Sequence, residues 1–458
     1  MKLEIIALSV TLTSCALAQD NSPIPETERS MFQAREEAAV LPGGFNKADH
    51  MTGDWGGARD RLYQSGVDVF GFYNTIISGN VAGGVDPGNA TYVHDIWVGL
   101  KFDLEKLAGW KGGQFVISGI NRFGEDLTMK YIGSIYSTQQ MVGGQRTFLY
   151  QVYLQQKLFT DQLTAKLGRF GASDDFNTSP LYGYSLNNGI NGNIRNVLFN
   201  TRFSAYPFAT WAGALFYDLT PKLHVKVGVF QTSEGMFEND DNGLNFGIGD
   251  RDGYTAIAQI GWTPEFFKRP IPASQGDGKS IRDSKNMAPS QMKGMPGHYW
   301  IGATYSEWDL YQRFGGGFED HSYGFYAHAD QMVTQETLGS DEGLTAFVAA
   351  GYYPQTEISI VPFQFNAGLN YKGLPPGRKD DRTMIHFIYG KLSDDYSRSV
   401  RVLGGEDAES EKVVEFAHRF QITPWSYIQP DVQWVINPGG TGDIDDAVVI
   451  GAQMGVTF

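Results

Sequence analysis

Residues 447–458 alternate strictly. Val448, Ile450, Ala452, Met454, Val456 and Phe458 form an apolar row; Ala447, Val449, Gly451, Gln453, Gly455 and Thr457 form a smaller, more polar one. A strand sends successive side chains to opposite faces, so the pattern predicts a strand whose two faces meet different surroundings. The same alternation sets Tyr92, His94, Ile96, Val98, Leu100 and Phe102 against Val93, Asp95, Trp97, Gly99, Lys101 and Asp103. It sets Leu223, Val225, Val227 and Val229 against His224, Lys226, Gly228 and Phe230. It recurs with Val414, Phe416, Phe420 and Ile422 against Val413, Glu415, Ala417, Arg419 and Gln421.

Following this period along the chain predicts strands over 67–78, 91–104, 113–123, 147–159, 162–170, 210–219, 222–231 and 253–263. The second half adds 297–308, 322–332, 343–352, 357–371, 382–392, 412–422, 426–436 and 446–458. That is about sixteen strands, with residues 194–204 able to supply part of another. Tight turns are expected at 160–162, 219–222, 353–356 and 422–425, and long polar loops at 171–209, 232–252, 309–321 and 393–411. Short turns at one end and long loops at the other are the pattern of an outer-membrane barrel, and this many strands enclose a water-filled channel. The predicted fold class is therefore all-β: one transmembrane antiparallel β-barrel with short helical segments at the N-terminus. An exported soluble β-sandwich would show the same alternation and stays open.

Composition narrows the choice. The chain has 458 residues with 56 glycines, 14% aromatic and 19% charged residues. After the N-terminus no run of roughly 20 apolar residues could form a spanning helix, and lipid otherwise tolerates only a closed barrel. A formal net charge of −15 with no basic patch argues against a nucleic-acid partner. Residues 1–18 read as a signal peptide: Lys2, an apolar run from Ile5 to Leu12, then Ala16-Leu17-Ala18. Cys15 is the only cysteine and would leave with it. Leu12-Thr13-Ser14-Cys15 also fits a lipoprotein box, which would acylate Cys15 instead. Residues 19–50 form a polar segment with one short helix, and 51–458 form the barrel domain. Within it, 52–66 is a helical lead-in, with Asp54 as N-cap, Gly66 as the stop and Trp55 packed inside, before strands over 67–458.

Two segments resemble the carbohydrate-selective porins of the OprB family. One is Gly53-Asp54-Trp55-Gly56-Gly57 with Arg59. The other runs from Arg419-Phe420-Gln421-Ile422-Thr423-Pro424-Trp425 through Gln429-Pro430-Asp431-Val432-Gln433 to Asn437-Pro438-Gly439-Gly440. Gly168-Arg169-Phe170 with Asp175-Phe176 is a shorter third likeness. The resemblance implies a sixteen-stranded barrel in the bacterial outer membrane that admits sugars, glucose above all, by passive diffusion. Gly53, Asp54, Trp55, Gly56, Gly57, Arg59, Gln429, Pro430, Asp431, Asn437 and Pro438 would be its architectural residues.

Sugars present hydroxyls and apolar ring faces, so a selective wall needs aromatic rings and charged or amide groups. The candidate channel residues are Trp97, Lys101, Arg122, Arg169, Glu415, Arg419 and Gln433, with Arg169 and Arg419 expected at the constriction. The competing view makes these groups a structural network across the wall. No zinc-type His or Cys spacing occurs, and no cofactor is expected. The partners expected are sugars and outer-membrane lipid, with a homotrimer open as the assembly. A barrel enzyme and an exported soluble carbohydrate-binding sandwich are the alternative functions; the G-x-S-x-G nucleophile motif is absent from the sequence.

Overall fold

The computed structural model describes residues 45–159, 162–237, 242–270, 292–402 and 404–458. The expected signal peptide, Cys15 and most of the polar segment 19–50 lie outside the described residues. The strands are β1 (Val67–Ala82), β2 (Ala90–Asp103), β3 (Gly113–Gly124), β4 (Thr147–Leu158), β5 (Leu163–Phe170), β6 (Thr210–Thr220), β7 (Leu223–Thr232), β8 (Gly253–Trp262) and β9 (Glu265–Pro270). They continue with β10 (Met292–Gln312), β11 (Phe318–Met332), β12 (Gly343–Tyr352), β13 (Phe363–Lys372), β14 (Arg382–Lys391), β15 (Ser410–Thr423), β16 (Ser426–Ile436) and β17 (Ala447–Thr457). Each strand pairs antiparallel with its chain neighbour, β8 pairs with β10, and β1 pairs with β17, so the sheet closes on itself. Among the described residues, strand β9 pairs only with residues 292–296 of β10 and extends beyond the wall as an arm, leaving 16 strands in the barrel.

The two faces of this wall invert the rule for a soluble protein. Ile77, Leu167, Ile301, Phe325, Ile385 and Phe416 are large, apolar and exposed on the outer face. Asn74, Asp95, Gln259, Asn366, Glu415 and Gln433 are buried on the inner one. A closed sheet with its greasy face outward and polar groups inside is stable only in lipid, which removes the sandwich alternative. The terminal strand follows the alternation read from its sequence: Val449 and Gln453 lie buried inside, Ile450 and Met454 exposed outside.

The ends of the barrel differ as expected, with two exceptions. The β4–β5 connection and the tight turns at 221–222 and 424–425 share the end that carries residues 66 and 458. The β9 arm sits at this end too, although the sequence pattern suggested only short turns there. The expected turn 353–356 instead belongs to the opposite end, within the connection 353–362, and β13 starts at Phe363 rather than 357. Pro354 and Pro362 cannot donate to a ladder, and the intervening chain turns inward to bury Ser359 and Val361. Residues 194–204 add no strand: Arg195–Asn200 is a short helix inside the barrel.

The lead-in seals the closure between β1 and β17. Helix Ala58–Ser65 ends on Gly66, whose φ of 99° lets its N–H reach Leu62 O and Tyr63 O. Asp54 Oδ1 accepts from Asp60 N at 3.0 Å, so Asp54 caps the first turn from outside it. Trp55 does not pack as expected; it is 44% exposed, with the Arg59 guanidinium 5.3 Å from its ring. Arg59 itself is buried. Its Nη1 donates to Phe458 O at 2.8 Å and its Nη2 to Val69 O at 2.6 Å, joining the ends of the two closing strands. Replacing Arg59 by alanine strips two carbonyl-type acceptors of a charged donor, about 1–3 kcal/mol for each left unmet. The Arg59→Ala barrel is expected to lose its folded gel mobility at a lower temperature than wild type; an unchanged transition would show that this contact does not secure closure.

Candidate functional site

Besides the connection 353–362, two longer ones at the long-loop end turn into the barrel: residues 125–146 after β3 and residues 171–209 after β5. The second is rich in Ser, Asn and Gly; the first carries three Gly and two Ser but no Asn. Chain lying inside a barrel brings backbone N–H and C=O groups that need partners there. The inner wall supplies them, chiefly from β15. Period two puts Glu411 and Glu415 on one face, about 13 Å apart along the strand, and neither is exposed. The Glu411 carboxylate accepts from Ser134 Oγ at 2.6 Å, Ile135 N at 2.8 Å, Tyr136 N at 3.0 Å and Gly439 N at 2.8 Å. The Glu415 carboxylate does the same for Ser185 Oγ, Leu186 N and Asn187 N. Each glutamate thus grips a serine-led turn of one inward loop. The loops also bind each other, through Asn188 N to Ser137 O and Gln140 N to Leu186 O, both at 2.8 Å.

Further ties spread around the wall. Gln433 on β16 accepts from Asn187 Nδ2 at 3.0 Å and donates to Thr138 O at 2.9 Å. Gln364 on β13 accepts from Asn196 N at 2.8 Å, and Gln259 on β8 accepts from Asn177 N at 3.1 Å. Tyr206 OH donates to Asp95 Oδ2 on β2 at 2.7 Å. The loop 171–209 is therefore fixed from several sides, and it narrows the channel where it crosses.

Most of the candidate residues belong to this scaffold. Arg122 is 2% exposed, paired with Asp95 at 2.9 Å, and lies over Tyr206. Trp97 is fully buried between Phe70, Tyr150 and Tyr206. Glu415 and Gln433 are consumed as loop anchors. Lys101 keeps a half-buried place on the inner face. Arg419 is inside as expected, half-buried, and its Nη2 donates to Gly183 O at 2.9 Å and its Nε to Gln429 Oε1 at 2.7 Å. Among the motif residues, Gln429 also holds the loop through Tyr184 O at 2.8 Å, and Asp431 lies buried beside Gln433, bonded at 2.9 Å. Pro430 faces outward. Asn437 adopts a left-handed φ of 56° before Pro438 and accepts from Gly442 N at 2.7 Å.

Arg169 is a correction. It alternates with the inward Lys166, Gly168 and Phe170, shares its face with the exposed Leu167, and pairs with Trp211. It points away from the channel. Because the chain leaves the wall after Phe170, residues 147–151 of β4 have no β5 partner. Residues 242–246 cover that edge: Leu149 N donates to Asn242 O at 2.9 Å, and Arg169 donates to Asn245 O beneath the Phe246 ring. Gly243 permits this approach, since a Cβ there would meet Leu149 O at 2.0 Å.

Residues outside the candidate channel set also lie on the loop and its rim. Tyr184 and Tyr427 are half-buried inner-face rings. The Arg419 guanidinium sits 4.4 Å from the first and 4.0 Å from the second, and Arg382 sits 4.8 Å from Tyr184. Arg195, in the loop helix, lies 5.2 Å from the Phe199 ring. Burial and nearby Arg122 push it down to about 10, so it stays charged at neutral pH. Arg382 was accessible to sequence reasoning as the first member of the inward row Met384, His386 and Ile388; Arg195 was not, because nothing in the sequence reveals that its loop folds inward. At the root of the loop, Asp174 accepts from Tyr150 OH, from Gln151 Nε2 at 2.9 Å and from Gly171 N at 3.2 Å. Burial raises its pKa to about 7, against the pull of Lys166 and with Asp175 adding to the rise.

The family model described as "Carbohydrate-selective porin, OprB family" matches residues 88–458. The chain is 26% identical over 444 residues to Porin B of Pseudomonas aeruginosa, covering 89% of this chain and 91% of the relative. It is 24% identical to the putative porin QuiX of Acinetobacter baylyi, covering 89% and 93% respectively. The high-pH structure of Pseudomonas putida OprB superposes with a TM-score of 0.78 at 25% identity, covering 90% of this chain and 99% of that one.

Two outcomes follow from the anchors. Glu415→Ala removes the acceptor of three donors, costing about 3 kcal/mol or more of loop anchorage. Its single-channel conductance is expected to rise and to become noisier, with Glu415→Gln intermediate; a wild-type trace would mean that the loop stands without this clamp. For Asp174, the folded state holds between about pH 4 and about pH 7 a proton that the unfolded chain has released. Its contribution to stability therefore falls as pH rises through that window. Urea midpoints of the folded band should show a shallower decline over this range in Asp174→Asn than in wild type.

Proposed function

This chain belongs to the OprB family of carbohydrate-selective porins, and on that premise we propose how its channel selects. It is a porin of the bacterial outer membrane through which sugars pass by passive diffusion. Glucose and related monosaccharides are the sugars proposed. The observation that carries the reading is the cluster at the tip of the inward loop, where the Arg382 and Arg419 guanidinium groups both lie against the Tyr184 ring and Arg419 also against Tyr427. A pyranose offers an apolar face to such a ring and hydroxyls to the guanidinium donors. Each contact is modest, which suits a site that must release what it binds. Arg195 and Lys101 extend the same chemistry along the wall. We assign Trp97, Arg122, Glu415 and Gln433 to holding the loop rather than to touching sugar.

These half-buried cations oppose the overall charge of −15. Local charge at a constriction, not net charge, sets what a pore prefers. The protein then works as a channel, with no catalytic step. Removal of residues 1–18 after export and assembly as a homotrimer complete the proposal, with the outer apolar face in lipid.

Reconstituted protein is expected to conduct ions with anions favoured, and glucose to reduce the current in a saturable way. Arg195→Ala and Arg382→Ala together should weaken that block several-fold and lower the anion preference, with the folded gel mobility kept. Glucose block and ion preference unchanged in the double variant would exclude these residues from the sugar path.

A further inference from the structure

Lower on the inner wall, three potential metal ligands meet across one strand pair. His298 of β10 stands opposite Asp330 of β11 in the ladder, and His328 lies two residues before Asp330 on the same inward face. All three are at least nine-tenths buried. Asp330 Oδ2 is 2.8 Å from His328 Nε2 and 3.6 Å from His298 Nδ1. One ligand atom from each residue lies within 4.8 Å of the others. At 3.6 Å the second contact is no hydrogen bond, and His298 Nδ1 has no other hydrogen-bond partner among the described residues.

We propose that His298, His328 and Asp330 form a binding site for a divalent transition metal of the zinc class, set in the channel wall beneath the loop tip. Three ligands at bond lengths near 2.1 Å would stand about 3.4 Å apart around a tetrahedral ion, and the two contacts to Asp330 bracket that separation. Two imidazoles and one carboxylate suit Zn²⁺ or Co²⁺ rather than Ca²⁺ or Mg²⁺, which prefer all-oxygen shells. Three protein ligands leave a fourth position for water from the channel.

The surroundings supply what such a site needs. Tyr182, on the inward loop, holds its hydroxyl 2.8 Å from His328 Nδ1, and the Trp300 ring stacks on the imidazole with centroids 5.0 Å apart. Without metal, a neutral His328 with its proton on Nε2 would donate to Asp330 and accept from Tyr182 OH at Nδ1. With metal, Nε2 becomes a ligand and the same proton moves to Nδ1, where it is donated to the Tyr182 oxygen. The proton count is unchanged and the Tyr182 hydroxyl turns from donor to acceptor. That outer contact fixes ring and tautomer, as ligand histidines require. Histidine spacing does not reveal this cluster, because its two histidines come from different, paired strands.

The test uses untagged full-length protein, folded in detergent and freed of metal by chelation. Titration with CoCl₂ is expected to give a visible ligand-field band saturating at one equivalent and displaced by ZnCl₂. His298→Ala and Asp330→Asn should each weaken Co²⁺ binding by about 100-fold, and Tyr182→Phe by about 10-fold. His94→Ala, on the outer face, should leave it unchanged. Folded mobility on unheated gels qualifies each variant; if His298→Ala does not fold, the wild-type stoichiometry and Asp330→Asn decide. Absence of one-equivalent uptake by the folded wild type, or undiminished uptake in a folded His298→Ala or Asp330→Asn variant, overturns the assignment.

Discussion

The channel depends on two carboxylates meeting backbone N–H groups that have nowhere else to go. A barrel of this girth encloses space that side chains of the wall cannot fill, and the chain fills part of it with its own loops. Loop backbone brought inside loses bulk water unevenly, and each buried N–H without a partner costs on the order of a hydrogen bond. Glu411 and Glu415 answer that cost with several donors apiece, in the same geometry, from one strand. The amide rows of Gln259, Gln364 and Gln433 repeat the device at lower strength. On the proposed reading, selectivity follows from this anchoring, because Tyr184 occupies a defined place only while the turn beside it is held.

The strand pattern was legible in the sequence because lipid outside and polar loop inside impose opposite demands on alternate residues. Nearly every strand was placed within a few residues on that signal alone. It failed where chain left the wall. Residues 357–362 look like strand but bend inward between prolines, and 194–204 look like strand but coil as a helix under the loop's own packing. Neither has a lipid-facing side, so period two carries no information there.

The candidate site was legible in kind but not in role. Arg122, Glu415 and Gln433 lie on the inner face, yet an inward position does not tell whether a loop will cover them. Arg169 was misplaced for a different reason. Its side chain lies on the outer face, where an arginine is unexpected, and only the covering segment 242–246 makes that tolerable by supplying Asn245 O and the Phe246 ring. Arg382 and Tyr427, by contrast, follow the alternation of their strands and were accessible to a stricter reading of it.

That covering segment has a consequence for how the barrel is assembled. Strand β4 is flanked by β5 along only part of its length, and its remaining edge is met by chain that lies beyond the β6–β7 hairpin. A nascent wall built strand by strand therefore carries an open, aggregation-prone edge at residues 147–151 until that later segment is in place. The order of synthesis and the order of closure differ at this sector as they do at the β1–β17 seam. The constriction loop is thus bought with a delay in completing the wall from which it departs.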